Sequence, residues 1–513
     1  MSHNLEGEFD LILYGLGVMG ENFIRNFAQK GYRVIGVNRT VARTHKFADE
    51  VVNEPVADRV GTADTLEEAV QYLKSPGGAV LAMIKANDPV RQPWGPIDDL
   101  FFEGSQAKYS DTDRRPIKAL CDIVPEGTVI IDAANSHPRD TKRRAEEFEK
   151  RDMRFIGTGV SGGSEGALHG PSIMPGGSKK AYSIVGPMLE AVSAQVDGPC
   201  CTFLGNNEAG HFVKNVHNGI EYGIMQSIAE VYYLLRHVLD RSPAELEPVF
   251  ADMADGRHGG YLMEISTELL GMTDKDTGEP MLDMIKDKAG QKGTGKWTSQ
   301  LAFDLGVAVP TIANALQARI ISAFKEQRLA ASEKLQGTTI GAPLGNDEEA
   351  LIEAAADALY GSMIVSYAQG FALLREASIV DPEEHNGECN FTLQMDDIAQ
   401  IWKGGCIIRS KLLEPIRAAF EENPDLPNLL VAPYFQEILN DAKLQKNWRQ
   451  FVSTAAALGL PHNSIGASLN YFDDYRTPRL AADMIQGQRD RFGEHGFERS
   501  DREGDGYHLN PSE

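Results

Sequence analysis

The run Gly15-Leu16-Gly17-Val18-Met19-Gly20 constrains this chain more than any other feature, because of what flanks it. Residues 9–14 (Phe-Asp-Leu-Ile-Leu-Tyr) read as a short buried strand, and a helical pattern follows the glycines as far as Lys30, closed by Gly31. Residues 33–37 (Arg-Val-Ile-Gly-Val) read as a second strand. The glycines therefore occupy the first turn of a βαβ unit of about 30 residues. In that setting Gly15 allows the tight turn, Gly17 lets a pyrophosphate approach the backbone, and Gly20 lets the helix pack closely on the strand. The helix N-terminus adds free N–H groups and a partial positive charge for the phosphates. These residues imply an α/β dinucleotide-binding domain.

The end of the second strand bears on which dinucleotide. An acidic residue there would accept from a ribose 2′-OH, but this chain has Asn38-Arg39-Thr40, and Arg39 suits a 2′-phosphate. The expected cofactor is NADP. Ala79–Ile84 and Thr128–Asp132 read as further strands, ending at Lys85-Ala86-Asn87 and at Ala133-Ala134-Asn135. Ligands collect at the carboxyl ends of strands in open α/β sheets, which places Lys85 and Asn135 beside the nicotinamide. Residues 88–118 are rich in Pro, Asp and Arg and show no clear periodicity beyond Phe101-Phe102. They read as a surface insertion with little role in the chemistry.

Two glycine-rich runs follow, at 159–166 (with Ser161-Gly162-Gly163) and at 170–177. So many glycines around few side chains suit a backbone that wraps a small ligand with its N–H groups, a carboxylate above all. From Gly210 a long helical pattern begins, and Lys214, His217, Asn218 and Glu221 fall at i, i+3, i+4 and i+7, on one face. A core-facing stripe would be apolar; this one offers an ammonium, an imidazole, an amide and a carboxylate. Lys214 and Glu221 stand two turns apart, ~10 Å along the axis, with room for a small substrate between an amine and a carboxyl group. Gly210, Gly219 and Gly223 cost helix stability and imply close approach of another backbone or a ligand.

Composition narrows the classes. The 513 residues suffice for two or three domains. A net charge of −24 argues against general affinity for nucleic acid or anionic membrane. No stretch reaches the ~18 apolar residues needed to cross a bilayer, and the first residues carry no secretory signal. Five cysteines without a CxxC pair fit free thiols in a reducing, cytoplasmic setting. Metal-binding motifs such as HExxH are absent, so metal-independent chemistry is expected.

Taken together, GLGVMG, NRT, SGGSEGA, GPSIMPGG, GHFVKNVHNGIEYGIMQ, GQKGTGKWT and RDRFGEHGF resemble, in order and across nearly the whole chain, the decarboxylating 6-phosphogluconate dehydrogenases, within the β-hydroxyacid dehydrogenase group. The resemblance implies that Lys214 takes the proton from a substrate 3-hydroxyl and then, as an ammonium, stabilises the charge that develops on loss of CO2. It implies that Glu221 protonates the resulting enediol to give ribulose 5-phosphate. It assigns Ser161, Gly162, Gly163, His217 and Asn218 to the substrate's carboxylate and hydroxyls, and sets Asn135 between cofactor and substrate. Tyr222, Lys292 and Arg319 would hold the phosphate of 6-phosphogluconate, joined by Arg489 and His495 from a second subunit. The chain has DAAN before and at Asn135 where the family usually has DGGN, which brings two methyl groups into a region of close cofactor approach.

The expected organisation is an α/β Rossmann-type NADP-binding domain (1–206), a large all-helical substrate and dimerisation domain (207–475) and a short C-terminal tail (476–513). By composition the tail reads as disordered; the resemblance implies that it threads into the partner of a homodimer. A weak internal echo pairs Tyr222-Gly223 and Leu234-Leu235-Arg236 with Tyr360-Gly361 and Leu373-Leu374-Arg375, and Gly259-Gly260 with Gly404-Gly405.

Overall fold

Short runs of branched and small apolar residues form seven strands: β1 (Leu11–Tyr14), β2 (Val34–Val37), β3 (Val60–Thr62), β4 (Ala79–Ala82), β5 (Val129–Asp132), β6 (Arg154–Ser161) and β7 (Ser172–Gly177). The structure is a computed structural model that describes residues 4–86, 95–104, 117–291, 293–337, 340, 347–380 and 389–509. The strands pair in the order β3-β2-β1-β4-β5-β6-β7, parallel except for the last pair. The chain leaves β1 toward one edge and returns at β4 to build the other. The turn after β1 therefore lies at the point where the strand order reverses, where such sheets bind ligands. Every residue of β1, β2, β4 and β5 is buried, because apolar clusters cover both faces.

The stretch 88–118 differs from the sequence expectation. Residues 87–94 and 105–116 lie outside the described residues, but Ile97, Asp98, Leu100 and Phe101 are fully buried. Phe101 and Phe102 pack on Phe148, with ring centroids 5.4 and 4.7 Å apart. A segment without periodicity can still fill a core when a few of its side chains find an aromatic cluster built elsewhere.

Beyond the sheet the regular elements among the described residues are helices, with a few isolated bridges. Two long helices, Ala209–Leu239 and Glu348–Ile379, with 31 and 32 residues, pack against each other inside a third apolar cluster. Both halves of the Tyr-Gly echo lie on them. No helix among the described residues is long and apolar enough to cross a membrane, and none of the five cysteines is in a disulfide.

The described part of the tail, 476–509, is not disordered. Residues Ala482–Gly493 form a helix, and Phe497 pairs with Tyr507 in an antiparallel bridge. The buried Asp490 carboxylate holds the two together, accepting from the N–H groups of Gly496 (2.9 Å) and Leu509 (2.7 Å) and contacting His508 Nδ1 (2.7 Å). One buried acceptor organises a polar, glycine-rich segment that composition alone assigns to disorder. The unit leaves Met484, Ile485 and Phe492 exposed at 66%, 60% and 75%.

Candidate active site

The three fingerprint glycines meet different surroundings. Gly15 has a φ of +118°, and a β-carbon there would stand 2.4 Å from the Met83 carbonyl. A β-carbon on Gly20 would stand 2.1 Å from the Gly15 carbonyl, so helix Val18–Gln29 can seat on the turn only with glycine at that place. Over Gly17, the residue that caps this helix, there is open space. That is the arrangement a bound pyrophosphate requires. Leu16 is buried and Val18 exposed, while Met19 packs at the edge of the core. The Leu16 N–H donates to Asn38 Oδ1 (3.1 Å), and Asn38 Nδ2 donates to the Thr40 carbonyl (3.2 Å), tying the turn to the end of β2. Thr40 caps the next helix without a side-chain bond, and Arg39 makes no hydrogen bond or ion pair among the described residues.

Beyond β4, Ala86 is buried, Ile84 half-buried and Lys85 exposed; beyond β5, Asn135 is exposed. The methyl groups of Ala133 and Ala134 pack into the apolar clusters on opposite faces of the sheet, so they fill core and not the space over the strand ends.

The glycine-rich runs after residue 154 are mostly not a ligand-wrapping loop. Gly157 and Gly159 lie in β6, and Gly176 and Gly177 in β7. Their lack of side chains lets helix Ala209–Leu239 lie directly on the pair. A β-carbon on Gly159 would stand 2.4 Å from Lys214 Cβ, and one on Gly210 would stand 2.4 Å from the Gly157 and Met174 carbonyls. Gly219 and Gly223 likewise admit Thr298 and Ser366, at 2.5 and 2.8 Å from the added carbon. The helix glycines thus serve backbone and side-chain neighbours. Only the turn Gly162-Gly163 keeps the character expected of the whole run, with Gly163 facing open space.

The polar helix face is buried. Lys214 is 6% exposed, His217 0% and Asn218 8%, and the Glu221 side chain 21%. Lys214 Nζ donates to Asn218 Oδ1 (2.9 Å) and lies 3.4 Å from His217 Nδ1. His217 Nδ1 also lies 3.0 Å from Asn218 Oδ1, and its Nε2 meets Ser161 Oγ at 3.1 Å, which joins the helix face to the end of β6. No carboxylate among the described residues forms an ion pair with Lys214. Burial pushes its ammonium down to about 8, against the opposing pull of Glu221. Burial, with Lys214 adding to it, holds His217 well below its usual range, so its 3.9 Å approach to Glu221 is not an ion pair. Burial raises the Glu221 carboxyl, opposed by Lys214 and Arg319.

One turn further, Arg319 stacks on the Tyr222 ring with its guanidinium carbon 3.6 Å from the centroid, and Nη1 donates to the Gly290 carbonyl (3.3 Å). A β-carbon on Gly295 would stand 2.5 Å from the Tyr222 ring. Lys292 itself lies outside the described residues, but both flanks of its loop meet this pair. Arg489 and His495 are not brought to Lys214 within the chain: both are exposed on the tail, Arg489 donating to Gln486 and His495 packing on Phe492.

Several contributors escape sequence reasoning. Thr298 Oγ1 donates to the Asn215 carbonyl (2.6 Å), Trp402 sets its ring edge against His217 (5.7 Å), and the Ser172 N–H donates to the Gly405 carbonyl (2.8 Å). Each comes from an element distant in the chain, and only the Gly404-Gly405 pair gave a local signal. Among the described residues no group of three or more His, Cys, Asp or Glu side chains could hold a metal ion.

Two family models match end to end: residues 10–205 match the NAD binding domain of 6-phosphogluconate dehydrogenase, and residues 210–510 match the C-terminal domain of the same enzyme. The chain is 45% identical over 491 residues to the NADP(+)-dependent, decarboxylating 6-phosphogluconate dehydrogenase of Bacillus subtilis, covering 96% of each chain. It is 40% identical over 503 residues to the decarboxylating enzyme of Rattus norvegicus, covering 98% of this chain and 96% of that one. Among solved structures, the 6-phosphogluconate dehydrogenase of Plasmodium falciparum, studied with NADP+ and with 6-phosphogluconate, superposes with a TM-score of 0.84 at 37% identity, over 97% of this chain and 99% of that one.

Proposed function

The chain belongs to the 6-phosphogluconate dehydrogenase family, and from that premise we propose how its residues carry out the NADP-dependent oxidative decarboxylation of 6-phosphogluconate to ribulose 5-phosphate and CO2. The observation that carries the reading is Lys214, buried with no carboxylate in ion-pair contact, on one helix face with Glu221. With its ammonium lowered to about 8, about a tenth of Lys214 is neutral at pH 7, enough for a base. NADP held over Gly17 and by Arg39 would supply the acceptor for the hydride leaving the substrate's C3. Lys214 removes the proton from the C3 hydroxyl, and the ammonium so formed faces the new carbonyl oxygen, where it stabilises the negative charge that develops as the carboxylate leaves as CO2. Glu221, whose raised carboxyl keeps a proton more readily than an exposed glutamate, protonates the carbon that lost the carboxylate.

The remaining residues bind and orient. The open face of Gly17, the N-terminus of a 12-residue helix and the uncommitted Arg39 suit an anionic dinucleotide with a 2′-phosphate, whereas the family model's description names NAD. We favour NADP because Arg39 stands where an NAD site would carry an acid. Ser161, Gly162, Gly163, His217 and Asn218 receive the carboxylate and hydroxyls, Asn135 stands between cofactor and substrate, and Tyr222 and Arg319 hold the phosphate with Lys292. Residues 1–206 form the NADP domain, 207–475 the substrate and dimerisation domain, and 476–513 the tail. Arg489 and His495 complete the site of a partner in a cytoplasmic homodimer. This is supported by their exposure on a folded unit whose apolar face is uncovered in the single chain.

The test is an assay with 6-phosphogluconate and NADP, without added metal, that follows NADPH and CO2 together. Equal yields are expected. Absence of turnover overturns the reading, and NADPH without CO2 replaces it with a β-hydroxyacid dehydrogenase that does not decarboxylate.

A further inference from the structure

A buried polar cluster of the α/β region lies behind Asn135. Asp132 ends β5 and brackets Asn135 with its two carboxylate oxygens: Oδ1 accepts from the Ala134 N–H (3.0 Å) and Oδ2 from the Ser136 hydroxyl (2.9 Å). Arg144 Nη1 donates to both partners, Asp132 Oδ2 at 3.1 Å and Ser136 Oγ at 2.9 Å. Its other edge, Nε and Nη2, is held bidentately by Asp98 Oδ1 (2.9 Å) and Oδ2 (3.0 Å). Asp98 also accepts from the Gly95 N–H (2.8 Å) and from Arg143 Nη2 (2.8 Å). Asp98, Asp132, Ser136 and Arg144 are all 0% exposed. The Ser136 carbonyl accepts from Asn215 Nδ2 (3.2 Å), next to Lys214 in the chain.

A guanidinium in a bidentate pair has a fixed plane, and a buried one has no water to replace a lost partner. Its orientation therefore fixes Ser136 and, with Asp132, the backbone on either side of Asn135. We propose that Arg144 is a positioning residue for Asn135, acting through Ser136 and Asp132 and itself held by Asp98 from the 95–104 segment. The proposal rests on the reading that Asn135 lies between cofactor and substrate. It gives the 88–118 stretch a part in the reaction: its buried carboxylate sets the loop that presents Asn135, and the Ser136–Asn215 bond keeps that loop in register with the Lys214 helix.

A double-mutant cycle separates positioning from mere stability. Ser136→Ala removes one hydroxyl from the clamp and leaves the Asp132–Arg144–Asp98 chain intact; Arg144→Lys is the harsher variant. In the wild-type background Ser136→Ala lowers kcat/KM about tenfold, in keeping with the sensitivity of catalysis to small displacements. In the Asn135→Ala background the same change costs less than about twofold, because the residue it positions is already gone. Thermal unfolding shows that each variant is folded at the assay temperature. Equal factors in both backgrounds, with an active wild type, overturn the proposal alone. A wild type without turnover overturns the activity reading and the proposal with it.

Discussion

Helices Ala209–Leu239 and Glu348–Ile379 share length, burial and the Tyr-Gly echo, and pack against each other. With Tyr222-Gly223 set on Tyr360-Gly361, the positions of Lys214, His217, Asn218 and Glu221 fall on Ile352, Ala355, Ala356 and Leu359. The echo glycines do the same work in both: Gly223 admits Ser366, and Gly361 admits the Trp448 ring, 2.6 Å from an added carbon. What differs is the face one to two turns earlier. In the second helix Ala355 and Leu359 fill the core at 0% exposure. In the first, a lysine, a histidine and an amide are buried without an ion pair, Lys214 and Asn218 more deeply than Ile352 and Ala356, which are only half-buried. Desolvating an amine without an ion pair is costly and is met with at functional sites, so the comparison sets a scaffold helix against the one that carries the proposed site.

The comparison can be broken by substitution. Lys214→Met has the largest expected effect on turnover, a loss of about 10^3-fold or more in hydride transfer, read as the NADPH rate. Unlike an ordinary core change it leaves thermal stability equal or higher, because a buried ammonium with no ion-pair partner gives way to an apolar chain of similar shape. A stable, active Lys214→Met would remove the distinction between the helices. Glu221→Gln follows, with about a 10^2-fold loss that falls on the late protonation. Hydride transfer in a single turnover should survive it, and equal loss in both phases would count against the role assigned.

Acidity sharpens the same contrast. With Lys214 as the proposed base, active only as the neutral amine, kcat/KM should fall about tenfold per pH unit as the medium drops below about 8. Stability moves in the same direction. The lysine is lowered to about 8 in the fold from 10.5, so the unfolded chain binds more protons between those values and the burial penalty, fully present below about 8, is relieved as pH rises toward 10.5. The stability gap between Lys214→Met and wild type should therefore narrow over that window, and a pH-independent gap would refute the assignment. The smallest effect on turnover belongs to Leu359→Ala in the second helix. It should destabilise by about 2–5 kcal/mol in denaturant titration while changing kcat of the folded enzyme less than about twofold.

The polar face was legible because four side chains at i, i+3, i+4 and i+7 need only helical geometry to meet. The fingerprint glycines were legible because a strand and a helix flank them within a few residues. The glycines of β6 and β7 were not: the same composition serves a ligand cradle or a helix seat, and only the helix that begins some 50 residues after Gly159, at Ala209, decides between them. Asp98 was hidden for the same reason, since its partner Arg144 lies 46 residues away in the chain. The tail showed its charge but not its fold, which hangs on the single buried carboxylate of Asp490.

The sequence by itself determined the dinucleotide turn, the side chains that share one face of the 209–239 helix, and the family. These depend on the chain's local periodicity and on the order of its motifs. Tertiary structure decided which of two similar helices buries an amine without an ion pair, which glycines face open space and which a neighbour, and how far the Lys214 ammonium is lowered. Desolvation and close approach are set by groups far away in the chain, and no local pattern carries them.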